Sequence, residues 1–127
     1  MEFMSWQNKP TNFIKTVIND TESHVKKVIA VGFQSVVVGS PVMDGAYRGN
    51  HRVTINTTDE SFDKNLQDKS GTATITQGLG QSAQFKLGHT LYIQNNAPYS
   101  LRLENGWSQQ APHGVYSIAF QKMSSYK

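Results

Sequence analysis

The sequence predicts an α+β domain: a long N-terminal helix, with a kink or restart near residue 19, packed on a small antiparallel sheet, and a structured loop before the last strand. Two observations predict it. Apolar residues Ile14, Val17, Ile18, Val25, Val28, Ile29, Phe33, Val36 and Val37 recur at spacings of three and four, the repeat that lines one face of a helix. Beyond Pro41 the period falls to two, in short β-branched or aromatic segments bounded by Asn, Gly and Pro. Helical and strand patterns are segregated along the chain, as in α+β folds.

Taken in order, the elements read as follows. The polar run Asn19–His24 interrupts the first apolar face, and Asn19 followed by Glu22 has capping-box spacing. The expectation is therefore a short helix over 11–18 and a main helix from about 20 to 38, roughly 28 Å long. Gly39-Ser40-Pro41 ends it, because glycine takes a left-handed cap readily and proline cannot continue a helix. Arg52–Thr57 alternates as a half-buried strand. Residues 58–88 read as a loop-rich insertion. Within it 58–71 is polar and turn-rich, Thr72–Thr76 fits either a strand or the start of a helix, and Gly78, Gly80 and Gly88 suggest a flexible surface segment. Thr90–Gln94 is the next strand, closed by Asn95-Asn96. Tyr99–Glu104 has room for one helical turn, and Val115–Phe120 alternates as a final strand. Residues 1–10 read as a flexible arm, and 1–127 as a single domain with one modest core.

Composition narrows the function classes. The 12 Lys+Arg against 9 Asp+Glu leave a net charge of only +3. Beyond Lys86 the only acid is Glu104, a pattern that fits DNA passing nearby and equally an ordinary solvated face. With no cysteine there is no disulfide, thiol catalysis or cysteine-rich zinc site. Met-Glu-Phe-Met-Ser-Trp lacks the basic and apolar regions of a signal peptide, and no apolar run approaches the roughly 20 residues that span a bilayer. A soluble protein made in the cytoplasm, with no membrane partner, is the expectation.

No constellation points to chemistry. His24, His51, His89 and His113 share no ligand-like spacing. Ser108, His113 and Glu104 supply the residue types of a serine hydrolase, but no G-x-S-x-G elbow frames the serine. Gly78-Leu79-Gly80 lacks the lysine-serine pair of a phosphate loop. No enzyme, metal or cofactor is expected.

The conformationally special residues instead concentrate in 95–114, where Pro98 and Pro112 stiffen the ends and Gly106 and Gly114 permit left-handed turns. Glu104, the one acid there, reads as a strut accepting backbone N–H groups of the bend at 105–108, with Arg48, Arg52 or Arg102 as a partner. Trp107 is expected to bury its ring. A stretch built this way holds a loop in shape for recognition or assembly. An alternative from another class is a small nucleic-acid-binding module that stacks bases on Trp107, Tyr99 and Tyr92.

The stretch "YIQNNAPYSLRLENGWSQQAPHGV" resembles the signature of the neck, or tail-completion, family of long-tailed bacteriophages, the lambda Z-type minor tail proteins. Asn95, Asn96, Pro98, Tyr99, Leu103, Glu104, Gly106, Ser108, Gln110, Ala111, Pro112 and Gly114 match it position by position. An earlier block, "SPVMDGAYRGNH", is similar to the family's Ser-Pro-Val-Asp-Thr-Gly-x-x-Arg-Gly-Asn-Trp, through Ser40, Pro41, Val42, Gly45, Arg48, Gly49 and Asn50. "DKSGTATI" from Asp68 looks like the family's mid-chain segment. The resemblance covers residues 13–120.

Departures from the pattern are Met43-Asp44 for Asp-Thr, His51 for Trp with Tyr47 as a substitute anchor, and Ser117 for a common Arg. The C-terminal helix of many relatives is expected to be missing. The resemblance implies a non-enzymatic virion protein at the head-proximal end of the tail. It would form a six-fold ring with copies of itself, touching the head-closure ring and the tail terminator or tail tube, with genomic DNA only in transit.

Overall fold

The computed structural model describes residues 10–126, and the side chains from Ile18 onward. Helix α1 runs unbroken from Pro10 to Val38. Proline suits the first helical position, where its missing N–H would have had no partner. The expected restart near residue 19 does not occur, because the run 19–24 contains neither Gly nor Pro and its polar side chains are mostly solvated. Glu22 looks outward and accepts the Leu87 N–H at 3.1 Å, so it is not the partner of a capping box.

Gly39 does not adopt the left-handed cap expected of it, as its φ is not among the positive ones. Side chains close the helix instead: Ser40 Oγ donates to the Val36 carbonyl at 2.5 Å and Arg48 to that of Val38 at 3.1 Å.

The order continues with α2 (Ala46–Gly49), β1 (Arg52–Ile55), α3 (Thr72–Ser82), β2 (Leu91–Gln94), α4 (Ser100–Glu104) and α5 (Tyr116–Ser125). Strands β1 and β2 pair antiparallel, with Arg52 opposite Gln94 and Ile55 opposite Leu91. A two-stranded ribbon is marginal alone. Here Val53 is buried in one cluster with Phe33, Val36 and Val37 of α1, Ala97, Ala111, and Val115 and Ala119 at the start of α5. The fold is thus α+β, a long helix packed on a small antiparallel sheet.

Two expectations are corrected here. The final strand over 115–120 is a helix, α5, so the chain has a C-terminal helix. Six alternating residues also fit the helical spacing of four that puts Val115, Ala119 and Met123 on one side, and that side lies against α1. The insertion 58–88 contains the 11-residue helix α3, which resolves Thr72–Thr76 as helix. Its Gly78 is buried, and a Cβ there would run into the Phe33 ring. That glycine marks close helix packing, not flexibility. The arm assigned to 1–10 lies outside the described residues apart from Pro10, which is helical.

Candidate assembly surface

The earlier block, 40–51, is built as a frame. Arg48 donates to three carbonyls, Lys69 at 2.7 Å, Val38 at 3.1 Å and Ser40 at 2.8 Å, which ties the end of α1 to the segment entering α3. Gly45 has φ 89 and its carbonyl accepts the Asp68 N–H at 3.0 Å. Gly49 passes so close to the Leu66 carbonyl that a Cβ would collide with it. Asn50, 1% exposed, donates to the carbonyls of Ala46 and Asp63 at 2.7 and 2.8 Å. Its oxygen accepts from the Asp63 N–H at 3.0 Å and from Arg52 at 2.9 Å. Every hydrogen-bonding capacity of this buried amide is thus engaged.

His51 sits where the resembling pattern has Trp. Its Nε2 lies 2.5 Å from Ser40 Oγ and its Nδ1 2.8 Å from the Tyr116 hydroxyl. Ser40 already donates to Val36, so Nε2 carries the hydrogen and Nδ1 accepts from Tyr116. Burial, with the nearby Arg48 charge, lowers the imidazole pKa to about 3. The ring also meets Tyr47 edge-on at 4.9 Å. This neutral bridge fastens the end of α1 to α5. Because the Ser40 proton is directed to a backbone carbonyl, the pair is not arranged as nucleophile and base.

Asn95 and Asn96 anchor the start of the late stretch in opposite directions. Asn95 donates to the Tyr47 carbonyl at 2.7 Å and accepts the Ala97 N–H at 3.0 Å. Asn96 donates to the Asp59 carbonyl and, at 2.9 Å, to that of Ser61. Pro98 follows, exposed, and Tyr99 precedes α4.

Glu104 closes α4, and its carboxylate serves the start of α5. Oε1 accepts the N–H groups of Val115 at 3.0 Å and Tyr116 at 2.8 Å, and Oε2 accepts that of Ser117 at 2.8 Å. Val115, the residue at the cap position, offers no side-chain cap of its own. Burial alone would raise the Glu104 pKa, but the three N–H groups outweigh it and hold the carboxyl below its ordinary value. Gly114 packs against Glu104 with φ 86, and Gly106 (φ 84) faces the Pro112 carbonyl.

This corrects the expected recipients. The N–H groups of 105–107 bond to the carbonyls of Leu101, Arg102 and Leu103, leaving Glu104 free for 115–117. None of the three candidate arginines pairs with it. Arg52 pairs with Asp59 at 2.8 Å, Arg48 is committed to carbonyls, and Arg102 lies over Trp107. Nor do Ser108 and His113 meet: Ser108 Oγ accepts the Gln110 N–H at 3.1 Å, and the His113 carbonyl accepts from Ser117.

Trp107 departs most from expectation. Its ring is 71% exposed, with the Arg102 guanidinium 5.2 Å from its centroid. It forms one wall of a groove of about 600 Å³ between the two blocks, bounded by Pro41, Val42, Met43 and Asp44 on one side and Tyr99, Leu103 and Gln110 on the other. The Gln110 side chain clamps both backbone groups of Val42, accepting its N–H at 2.8 Å and donating to its carbonyl at 3.2 Å. The sequence reading named most of these residues but missed Gln110 as a clamp, Met43 and Arg102 as groove walls, and His51 as a bridge. The two-block resemblance, and Arg48 as a candidate partner of Glu104, were the hints that 41–51 and 95–114 belong together. Compared with known protein families, curated proteins and solved structures, the chain matches none.

Proposed function

We propose that this chain is a structural virion protein of a long-tailed phage, a tail-completion or neck component at the head-proximal end of the tail. It would sit in a six-fold ring between the head-closure ring and the tail terminator or tail tube, joining head to tail while the genome passes. One observation supports the reading: the two blocks that carry the resemblance converge on one groove, held by Gln110 on Val42 and by Asn95 on Tyr47. Their polar residues hold backbone in place and present no reactive pair, as suits a fixed docking surface. The low net charge of +3 suits a passage for DNA, because each phosphate contact adds affinity and would retard transit.

Deleting the gene in the phage should leave DNA-filled heads and tails of normal length, with infectivity lost at the joint. Electron microscopy and plaque counts read both. The wild-type protein should rescue, and a variant with Tyr99→Ala and Trp107→Ala should not. Empty heads or tails of wrong length would overturn the assignment.

The exposed Trp107 with Arg102 above its ring favours one second reading, a module that stacks single-stranded bases. That reading requires salt-dependent quenching of tryptophan fluorescence by oligodeoxythymidine, and its absence would dismiss it.

A further inference from the structure

We infer that the groove between 41–47 and 99–110 receives residues 2–6 of a second copy of this chain, so that copies join head to tail. The inference rests only on the self-association in the reading above, and not on the assembly being a phage neck.

The groove displays apolar surface that a lone chain leaves in water: Met43 is 93% exposed, Trp107 71% and Tyr99 37%. Asp44, on the other wall, accepts the Ala46 N–H at 2.9 Å, and among the described residues the only ion pair is Arg52–Asp59, so the Arg102 guanidinium has no carboxylate within ion-pair distance. The surface therefore fits a segment with large apolar side chains beside one acid. Residues 2–6, Glu-Phe-Met-Ser-Trp, have that composition, with Glu2 for Arg102 and with Phe3, Met4 and Trp6 for the apolar walls.

Reach decides which copy supplies the segment. Helix α1 is unbroken over 29 residues, so Pro10 and Val38 are about 42 Å apart. Pro41 is at most about 11 Å beyond Val38, which leaves roughly 30 Å between Pro10 and Pro41. Trp6, four residues before Pro10, extends about 14 Å from it. Residues 2–6 of one chain therefore cannot all lie along the Pro41 side of its own groove, whereas those of a neighbour can. Plug and socket are then different surfaces of one molecule, the heterologous contact from which rings are built when its rotation closes. A five-residue contact is weak singly and strengthens when a ring closes, so copies should be monomeric when dilute and associate as concentration rises.

Charge reversal tests this in the full-length protein. Sedimentation equilibrium should show association in the wild type, weakened about tenfold by either Glu2→Lys or Arg102→Glu, since each alone brings like charges together. An equimolar mixture of the two variants should restore it, because the reversed arm meets the reversed groove and the unchanged arm the unchanged groove. Thermal melts verify that both variants fold. A fluorescein-labelled peptide of residues 1–10 should bind the full-length protein saturably by anisotropy, and about tenfold less well after Arg102→Glu. Four samples that sediment alike, a peptide that does not bind, or displacement of the peptide by single-stranded oligodeoxythymidine would overturn the inference. None of these outcomes touches the gene-deletion result, so the two readings fail separately.

Discussion

Replacing Glu104 by alanine removes the acceptor of three N–H groups, those of Val115, Tyr116 and Ser117, at 3.0, 2.8 and 2.8 Å. Hydrogen bonds to a charged group are each worth about 1.5–3 kcal/mol. They do not add here, because one carboxylate makes all three and the first turn of α5 can fray to meet water. Loss of a helix N-cap alone costs about 0.5–2 kcal/mol. Partial burial of the orphaned N–H groups brings the expected loss to about 2–4 kcal/mol. For a chain of this size that is a drop of roughly 8–16 °C in Tm, at about 4 °C per kcal/mol. Calorimetric melts at neutral pH measure it, and amide exchange at 115–117 locates it.

Glu104→Gln should lose about half as much, since one oxygen still serves two donors while the amide NH₂ confronts the third. The sign with pH follows from the depressed carboxyl. Its contribution is present above the ordinary value of 4.5 and lost as pH falls below it, so the gap between wild type and alanine variant should close in acid. A melt identical to wild type, or unaltered protection at 115–117, would refute the cap.

Three further outcomes are expected. His51, buried neutral with its pKa lowered from 6.5 to about 3, leaves the unfolded chain to bind the proton first as pH falls. Stability should be full above 6.5 and decline by about 1.4 kcal/mol per pH unit below it; equal urea midpoints at about pH 7.5 and 5 would contradict this. Asn50→Ala should cost about 1–3 kcal/mol in denaturant melts, as it orphans the carbonyl of buried Ala46, while the carbonyl and N–H of exposed Asp63 can turn to water. Gln110→Ala, at an exposed clamp, should cost about 1 kcal/mol or less yet markedly speed amide exchange at Val42.

The sequence was legible where one period acted over a long stretch. Helix α1 followed from its three-and-four spacing, and β1 and β2 from alternation beside Asn and Pro. It was misleading where a short segment fits two periods. Val115–Phe120 alternates, yet Val115, Ala119 and Met123 also lie one above another on a helix, and contact with α1 decides between them. Gly78 signalled flexibility by composition, whereas its cause is the Phe33 ring, a tertiary neighbour 45 positions away that local pattern cannot reveal. In the candidate site, Glu104 stood out as an isolated acid in a stiff loop. Its recipients did not, because 105–107 satisfy their N–H groups locally. Trp107 was read as buried because tryptophan usually is, but Phe33, Val36, Val37, Val53 and Val115 fill the interior without it.

Helices α3 and α5 both begin on a carboxylate supplied from outside the N-cap position. Asp68 accepts the N–H groups of Gly71 and Thr74 at 3.0 and 2.8 Å to start α3, as Glu104 does for α5. The loop that supplies Glu104 is also the loop that walls the groove, through Arg102, Leu103 and Trp107. Helical order in α5 and the shape of the groove should therefore respond to one another, and linkage makes any such coupling reciprocal. A ligand that steadies 102–104 is expected to tighten the first turn of α5, and with it the Tyr116 hydroxyl that holds His51. A load that draws Glu104 away is expected to loosen the same turn. The surface thus carries its own strain gauge, read as amide protection at residues 115–117, well behind the face that would be touched.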